Sequence, residues 1–365
     1  MRPHGSGRGW RREAPAYSTG FHVFDIFKVL FFVVFQLRNF WRLSTSDNYS
    51  IPFARDTAYR FLNSPYHRWR AFLAQIAKTA VCFCSTLTSN SKRKIFIVDD
   101  SLYNKNRSKK IELLSRVFDH VDKLYVKGFR FLTLAFTDGI SLFPIDFALL
   151  GTKKIICEAN PDIDKRSSGF KRRLEAVCEA PSVLLSMLDN ARSLICKGSY
   201  IVFDSWFCVP PLIREIVKRN LHVTGRLKND KTHFLFRRNS KDSFVNLEQL
   251  FEKLKKIPAA VRKLQQQTPD ILGSFRVCLP QVKEYEAVAV KIVFVKNRNK
   301  SSSDANEWIA ILTTDLSLTE EEVVCMYAKR WKIEGFFKVA KSLLKLEQEF
   351  QGRSYDMLIL TFDST

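Results

Sequence analysis

Tyr327, Arg330, Glu334 and Lys341 sit at offsets of 0, 3, 7 and 14 residues. At about 100° per residue on an α-helix, all four fall within an arc of roughly 60°. One stripe would then present an acid flanked by two cations and a phenol. Met326, Ile333, Phe336, Phe337, Ala340 and Leu344 fall on the neighbouring side and would bury the helix. The spacing also fits a solvated face carrying an i,i+4 ion pair between Arg330 and Glu334. Two more acids end apolar runs. Ile95-Phe96-Ile97-Val98 leads into Asp99-Asp100, and Tyr200-Ile201-Val202-Phe203 leads into Asp204. Functional groups gather at strand ends in open sheets, so two strand-terminal aspartates prompt a search for a third acid, which Glu334 supplies. Phosphodiester cleavage needs such acids. It requires an activated water and a stabilised leaving oxygen, which two divalent ions about 3.5–4 Å apart can provide. Mg²⁺ prefers oxygen ligands and keeps several waters, so a few carboxylates suffice to hold it.

The elements that must position these residues are legible in outline. Residues 21–90 read helical, with Trp69, Phe72, Leu73, Ile76 and Ala80 on one face of a helix over 67–83. Strand-like runs follow at 95–98, 129–136 and 142–150, the last two joined by an Asp138-Gly139 turn. That order suggests an antiparallel meander. Residues 182–196 read as a helix. The strand at 200–204, a helix over 211–220 and a strand at 221–227 suggest parallel pairing. A charged helical segment (247–265) and strand-like runs at 274–279, 287–296 and 308–313 follow, with a Lys/Asn/Ser-rich loop at 296–306. The last long helix begins after Leu318-Thr319, with Glu320 to Glu322 favouring its start, and runs to about Glu347.

Composition narrows the partners. The 365 residues carry 59 Lys+Arg against 37 Asp+Glu, a net charge of +22, and 46% are hydrophobic. Global disorder is excluded, and the excess charge points to a polyanion, nucleic acid ahead of an anionic membrane surface. The basic candidates for phosphate contacts are the 163–173 cluster, the set Arg226, Lys228, Lys231, Arg237, Arg238 and Lys241, and the N-terminal helical segment. Six to ten such contacts would weaken binding by about 10³–10⁵ between 50 and 200 mM salt. The eight cysteines form no Cys-x-x-Cys pair, which disfavours a zinc site and suits a reducing compartment. The longest unbroken apolar run of the first stretch, Val29 to Phe35, has seven residues. A spanning helix needs about 20, so neither a signal peptide nor a membrane span is expected. Walker A and Gly-x-Ser-x-Gly patterns are absent.

The pattern Tyr327-x₂-Arg330-x₃-Glu334-x₆-Lys341 resembles the YREK signature of insertion-sequence-four-type transposases in the DDE superfamily. The segments Ile97-Val-Asp-Asp-Ser-Leu-Tyr103 and Ile201-Val-Phe-Asp-Ser-Trp-Phe207 resemble the same family, and the likeness covers about residues 50–355. It implies an α/β fold: an RNase H-like catalytic core interrupted by a β-rich insertion, with an N-terminal helical domain. Residues 1–20 read as a basic tail without a counterpart in the family; the implied segments are a helical DNA-binding domain (21–92), the first part of the core (93–230), the insertion (231–313), the final catalytic helix (314–355) and a C-terminus at 356–365. Family members continue further, so the closing Leu-Ile-Leu-Thr-Phe-Asp-Ser-Thr reads as an abrupt, possibly truncated end rather than a packed terminus.

By position, the resemblance makes Asp100, Asp204 and Glu334 the catalytic and metal-binding triad, with two Mg²⁺ (or Mn²⁺) ions. Asp100 directly precedes the serine and fits the motif. Asp99 remains an alternative that would point to the opposite face of the strand. Arg330 and Lys341 would contact phosphates, Tyr327 would hydrogen-bond a phosphate, and Trp308 would stack on an extruded base. Implied partners are double-stranded DNA, as terminal inverted repeats and target, and a second copy in a homodimer. The implied setting is cytoplasmic, nucleoid-associated and bacterial, without a membrane. The implied function is cut-and-paste transposition by hydrolysis and strand transfer. The alternatives are a truncated, inactive DNA-binding derivative and a metal-dependent nuclease without strand transfer.

Overall fold

The computed structural model describes residues 23–35, 40, 44–45, 51–87, 93–238, 241–257, 270–282, 285–298, 307–343 and 352–363. The 1–20 tail, residues 258–265, most of the 296–306 loop and the end of the last predicted helix (344–347) lie outside them. Among the described residues one mixed sheet organises the chain. It is built from β1 (Ile95–Asn104), β2 (Ser115–Asp119), β3 (Leu124–Thr137), β4 (Leu142–Leu150), β5 (Tyr200–Phe203), β6 (His222–Arg226), β7 (Phe234–Arg238), β8 (Lys241–Val245), β9 (Ile271–Leu279), β10 (Val288–Lys296) and β11 (Trp308–Thr313). The order is β2-β3-β1-β5-β6-β11-β10-β9-β7-β8, with β4 also on β3. β1, β5 and β6 run parallel; the remaining pairs are antiparallel. The parallel pairing expected for 200–227 is present, and β3 and β4 form the expected hairpin, Gly139 taking φ +97° at the turn.

Four features go beyond the sequence reading. β2 is an added strand lying end to end with β4 on the outer edge of β3. The β7–β8 hairpin is also added. The strand-rich block is continuous with the rest of the sheet, because β11 pairs directly with β6. β1 also runs on past Asp100 to Asn104, held tightly against β3. A Cβ added at Gly128, opposite Asn104, would come within 2.2 Å of the Tyr103 carbonyl oxygen, so only glycine allows this approach.

Helices cover both faces. α1 (Val23–Phe35), α2 (Arg55–Leu62) and α3 (Trp69–Leu87) precede the sheet. Ile26, Leu30, Phe61 and Trp69 are buried in one cluster with Ile97, Phe131 and Phe147, so these helices pack on the sheet as a layer. The buried stripe of α3 runs through Trp69, Ala77 and Val81, whereas Phe72 and Ile76 are exposed. The stripe is rotated from the expected one because Arg70 turns inward to Asp146 of β4 (2.5 Å) and to Glu175 (2.6 Å). α4 (Ser168–Glu175), α5 (Ala180–Asn190), α6 (Pro210–Lys218) and α7 (Leu247–Lys255) follow. Val183, Leu184, Ile213, Ile216, Leu250 and Leu254 bury the other face with Phe96, Val98, Ile201 and Phe203.

The single long helix expected after Thr319 is broken into α8 (Glu320–Ala328), α9 (Trp331–Lys338) and a π-turn (Val339–Leu343). At the break the amides of Lys329, Arg330, Lys332 and Ile333 donate to carbonyls only three residues back. The backbone is thus wound tightly there and loosely at the π-turn. α8 starts where expected, with a capping box between Thr319 and Glu322. Removing its hydroxyl by Thr319→Ala is expected to lower stability by about 1 kcal/mol, read from a urea unfolding midpoint.

α10 (Tyr355–Asp363) follows, with Tyr355, Asp356, Leu358 and Ile359 buried against the helical layer.

Candidate active site

β1 and β5 are parallel neighbours whose register pairs Val98 with Phe203. The next residues, Asp99 in the middle of β1 and Asp204 just past the end of β5, therefore stand on neighbouring strands, which lie about 4.8 Å apart. Asp204 accepts the Trp206 amide at 2.9 Å, which turns the chain sharply after β5. α8 and α9 cross the face shared by Ile95, Ile97 and Asp99, where Met326, Ile333 and Phe337 join the same core. The tight turn between them sends Arg330 down to the sheet. Its guanidinium donates to Asp99 at 3.0 Å and to Glu334 at 2.7 Å. Arg330 is 9% exposed, and its Nε has no partner among the described residues.

The two neighbouring aspartates take different environments. Asp99 is buried, and burial pushes its carboxyl up to about 7; Arg330 opposes this shift, while the negative charges of Asp204 and Asp100 add to it. Asp100 projects from the opposite face and pairs with Arg130 of β3. Asp100 lies opposite Leu132, so Arg130, two residues along, is its diagonal cross-strand neighbour. The face of the strand that meets the helix thus carries Asp99, and the face that meets Arg130 carries Asp100.

Both aspartates, Asp204 and Lys341 line one cleft of about 590 Å³. Lys341 donates to the Leu102 carbonyl at 2.5 Å. Tyr327 is half-buried with its ring 5.9 Å from the Arg330 guanidinium; burial raises its pKa, opposed by Arg330. Trp308 lines a neighbouring cavity with Ser205, Arg226 and Lys228. Its ring packs 5.2 Å from both Phe251 and Phe294.

Sequence reasoning missed three residues of this cleft. Trp206 is 46% exposed, between the Lys228 ammonium at 4.7 Å and the Arg130 guanidinium at 5.5 Å. His120, on the β2–β3 turn, completes that wall. Trp206 directly follows Asp204-Ser205, so its position in the motif was a usable signal. Arg130 and His120 had none, because their place depends on strand register. The basic cluster at 163–173 requires correction. Arg172 and Arg173 are buried and spent on Asp356 (2.5 and 2.8 Å) and, for Arg173, on Glu112 (2.6 Å). They are unavailable to phosphates. Arg237 likewise pairs with Asp242 at 2.7 Å.

Carboxylates on two parallel neighbouring strands, linked through Arg330 to an acid on a crossing helix and ringed by cations, define a site suited to phosphodiester substrates. Residues 43–242 match the family described as DDE superfamily endonuclease, more than half of the chain, and the chain belongs to that family. Residues 179–356 match the transposase DDE domain. DDE endonucleases generally use divalent metal ions. No curated protein matches the chain. Among solved structures, it is similar to a piggyBac transposase synaptic complex with hairpin DNA, determined by cryo-EM, at 12% identity and a TM-score of 0.45. The match covers 94% of this chain, which spans 63% of that one. No helix among the described residues is long and apolar enough to cross a membrane.

Proposed function

We propose that the chain is a DNA transposase that cuts and joins strands at the ends of a mobile element, with Asp99, Asp204 and Glu334 as its catalytic acids. The observation that carries this reading is the register of β1 and β5. That register puts Asp99 beside Asp204, and Arg330 links Asp99 to Glu334 of α9. The strand order β4-β3-β1-β5-β6, with β3 alone running against the direction of the other four, supports an RNase H-like core; β7 to β11 correspond to the strand-rich insertion. Asp100, favoured by the motif, becomes a positioning residue that holds Arg130 at the cleft.

The donor set is all carboxylate oxygen, which suits Mg²⁺ or Mn²⁺. Burial first, and then the negative charges of Asp204 and Asp100, lift the Asp99 pKa, and a bound cation would relieve that charge crowding. Among the described residues no three such side chains converge on one point, because Arg330 stands between Asp99 and Glu334. Asp99, Asp204 and Glu334 would hold the ions, which supply water activation and leaving-oxygen stabilisation when bound. Arg330 now balances two acids, and its planar fork is equally suited to a phosphate. Lys341 and Tyr327 flank the same stripe and would fix adjacent phosphates. Duplex DNA is the substrate and a homodimer the working unit.

The test uses a duplex carrying the inverted repeats that flank the gene, with Mg²⁺. Cleavage at the repeat boundary, lost in Glu334→Gln while DNA affinity stays, is expected; equal cleavage by both proteins would sink the assignment.

Stacking on an unpaired base falls to Trp206 or Trp308, and exposure favours Trp206. Trp206→Ala is expected to weaken binding to a duplex with one unpaired base by about 5–150-fold, the range for one base–aromatic stack. Fluorescence anisotropy in Ca²⁺ reads this; a larger loss in Trp308→Ala returns the role to Trp308.

A further inference from the structure

The loop that follows β1, together with the start of the C-terminal segment, lines a groove of about 1130 Å³. Its walls are residues 104–111 with Gly352 and Arg353, and they carry five cations and no acid. Arg107, Lys109, Lys110 and Arg353 are exposed, and none makes an ion pair among the described residues. We propose that this groove binds the phosphate backbone of the DNA duplex alongside the cleavage site. The inference rests on the function proposed above and names a contact surface for it.

Three observations support a built surface rather than a solvated charge run. First, the groove is concave and single-signed, which focuses potential on a polyanion. Second, its backbone is pinned. The Lys105 amide donates to the Lys127 carbonyl (2.8 Å), the Lys127 ammonium to the Ser108 carbonyl (2.8 Å), and the Glu112 amide to the Arg353 carbonyl (2.9 Å). Behind it, Glu112 is locked by Arg173 and by the Tyr355 and Asn160 amides, each within 2.9 Å. The backbone that carries the cations is therefore held before any ligand arrives, which lowers the ordering cost of binding. Third, the groove lies on the line of the catalytic strand. Asn104 lies five residue steps along β1 from Asp99, about 17 Å at strand rise. Lys341, bonded to the Leu102 carbonyl, lies between them. At 3.4 Å per nucleotide along one strand, that distance is about five nucleotides from the cleaved phosphate.

The experiment measures binding, so it does not depend on turnover. A 40-base-pair labelled duplex is titrated by anisotropy in Ca²⁺ from 50 to 300 mM KCl. The quadruple variant Arg107→Ala/Lys109→Ala/Lys110→Ala/Arg353→Ala is expected to lower the slope of log K against log salt by about 2–4 units. Lys109→Arg/Lys110→Arg should keep the wild-type slope. Lys197→Ala/Lys218→Ala, around the cavity at the opposite end of β5 and β6, should keep it as well. Lys109→Glu/Lys110→Glu reads the same surface if the quadruple variant does not fold. An unchanged slope in the folded groove variants, with a wild type that binds, overturns the groove alone. A wild type without salt-dependent DNA binding overturns the function as well.

Discussion

Asp99→Asn is expected to abolish strand cleavage and, in metal-free protein, to raise stability at neutral pH. The first effect follows if the carboxylate is a metal ligand, and should exceed 10³-fold, by analogy with losing a group that acts on developing charge. The second follows from linkage. The carboxyl titrates near 7 in the folded chain, where burial raises it, and near 3.9 when unfolded. Between those values the folded state binds more protons than the unfolded state, so this group's contribution to stability falls as pH rises from about 4 to 7. Asparagine removes that dependence. Thermal melts in EDTA should show a higher midpoint for Asp99→Asn than for wild type at pH 7.5, by an effect of roughly 2–4 kcal/mol, and a much smaller difference at pH 4.5. Equal midpoints at pH 7.5 would contradict the buried, charge-crowded position of Asp99. A gain in stability with a loss of activity is the pattern expected where a fold holds functional charges together.

Asp356→Ala is expected to produce the largest loss of stability of any single acid replacement. Its carboxylate, 1% exposed, accepts from both Arg172 and Arg173. Arg173 in turn holds Glu112 by two bonds, and Arg172 donates to the His67 carbonyl at 2.8 Å. The network ties α10, α4, the start of α3 and the loop after β1. Removing one carboxylate leaves a buried cation without its partner, a change that destabilises by about 3–5 kcal/mol. Chemical denaturation should show this as a large fall in midpoint with little change in slope. Replacing exposed Arg166, which pairs only locally with Asp164, should leave the midpoint where it is. Parity between the two variants would mean that the network is not closed in solution.

The candidate site was legible in the sequence at the level of elements and not of faces. Apolar runs ending in acids marked β1 and β5, and the Tyr-Arg-Glu-Lys spacing marked the helix that crosses them. The choice between Asp99 and Asp100 was not legible. β1 is buried on both sides, Ile95 and Ile97 in one core cluster and Phe96 and Val98 in the other, so alternation of polarity gave no sign of which face meets the helix. The break at Arg330 involves neither Pro nor Gly within the tight turn, and the contact it accompanies, Arg330 to Asp99, spans 231 residues. Arg172 and Arg173 looked like solvent-facing cations because their partners, Asp356 and Glu112, are 184 and 61 residues distant. β2, β7 and β8 have five residues each, and short strands with polar positions offer little periodic signal.

The central claim is that Asp99, Asp204 and Glu334 together hold the divalent ion. Titration of Mn²⁺ followed by electron paramagnetic resonance tests it without a DNA substrate, on wild type, Asp99→Asn, Asp204→Asn, Glu334→Gln and Asp100→Asn. The expected result is bound Mn²⁺ in wild type and in Asp100→Asn, and loss of binding in the other three. Retention in Asp99→Asn with loss in Asp100→Asn would contradict it.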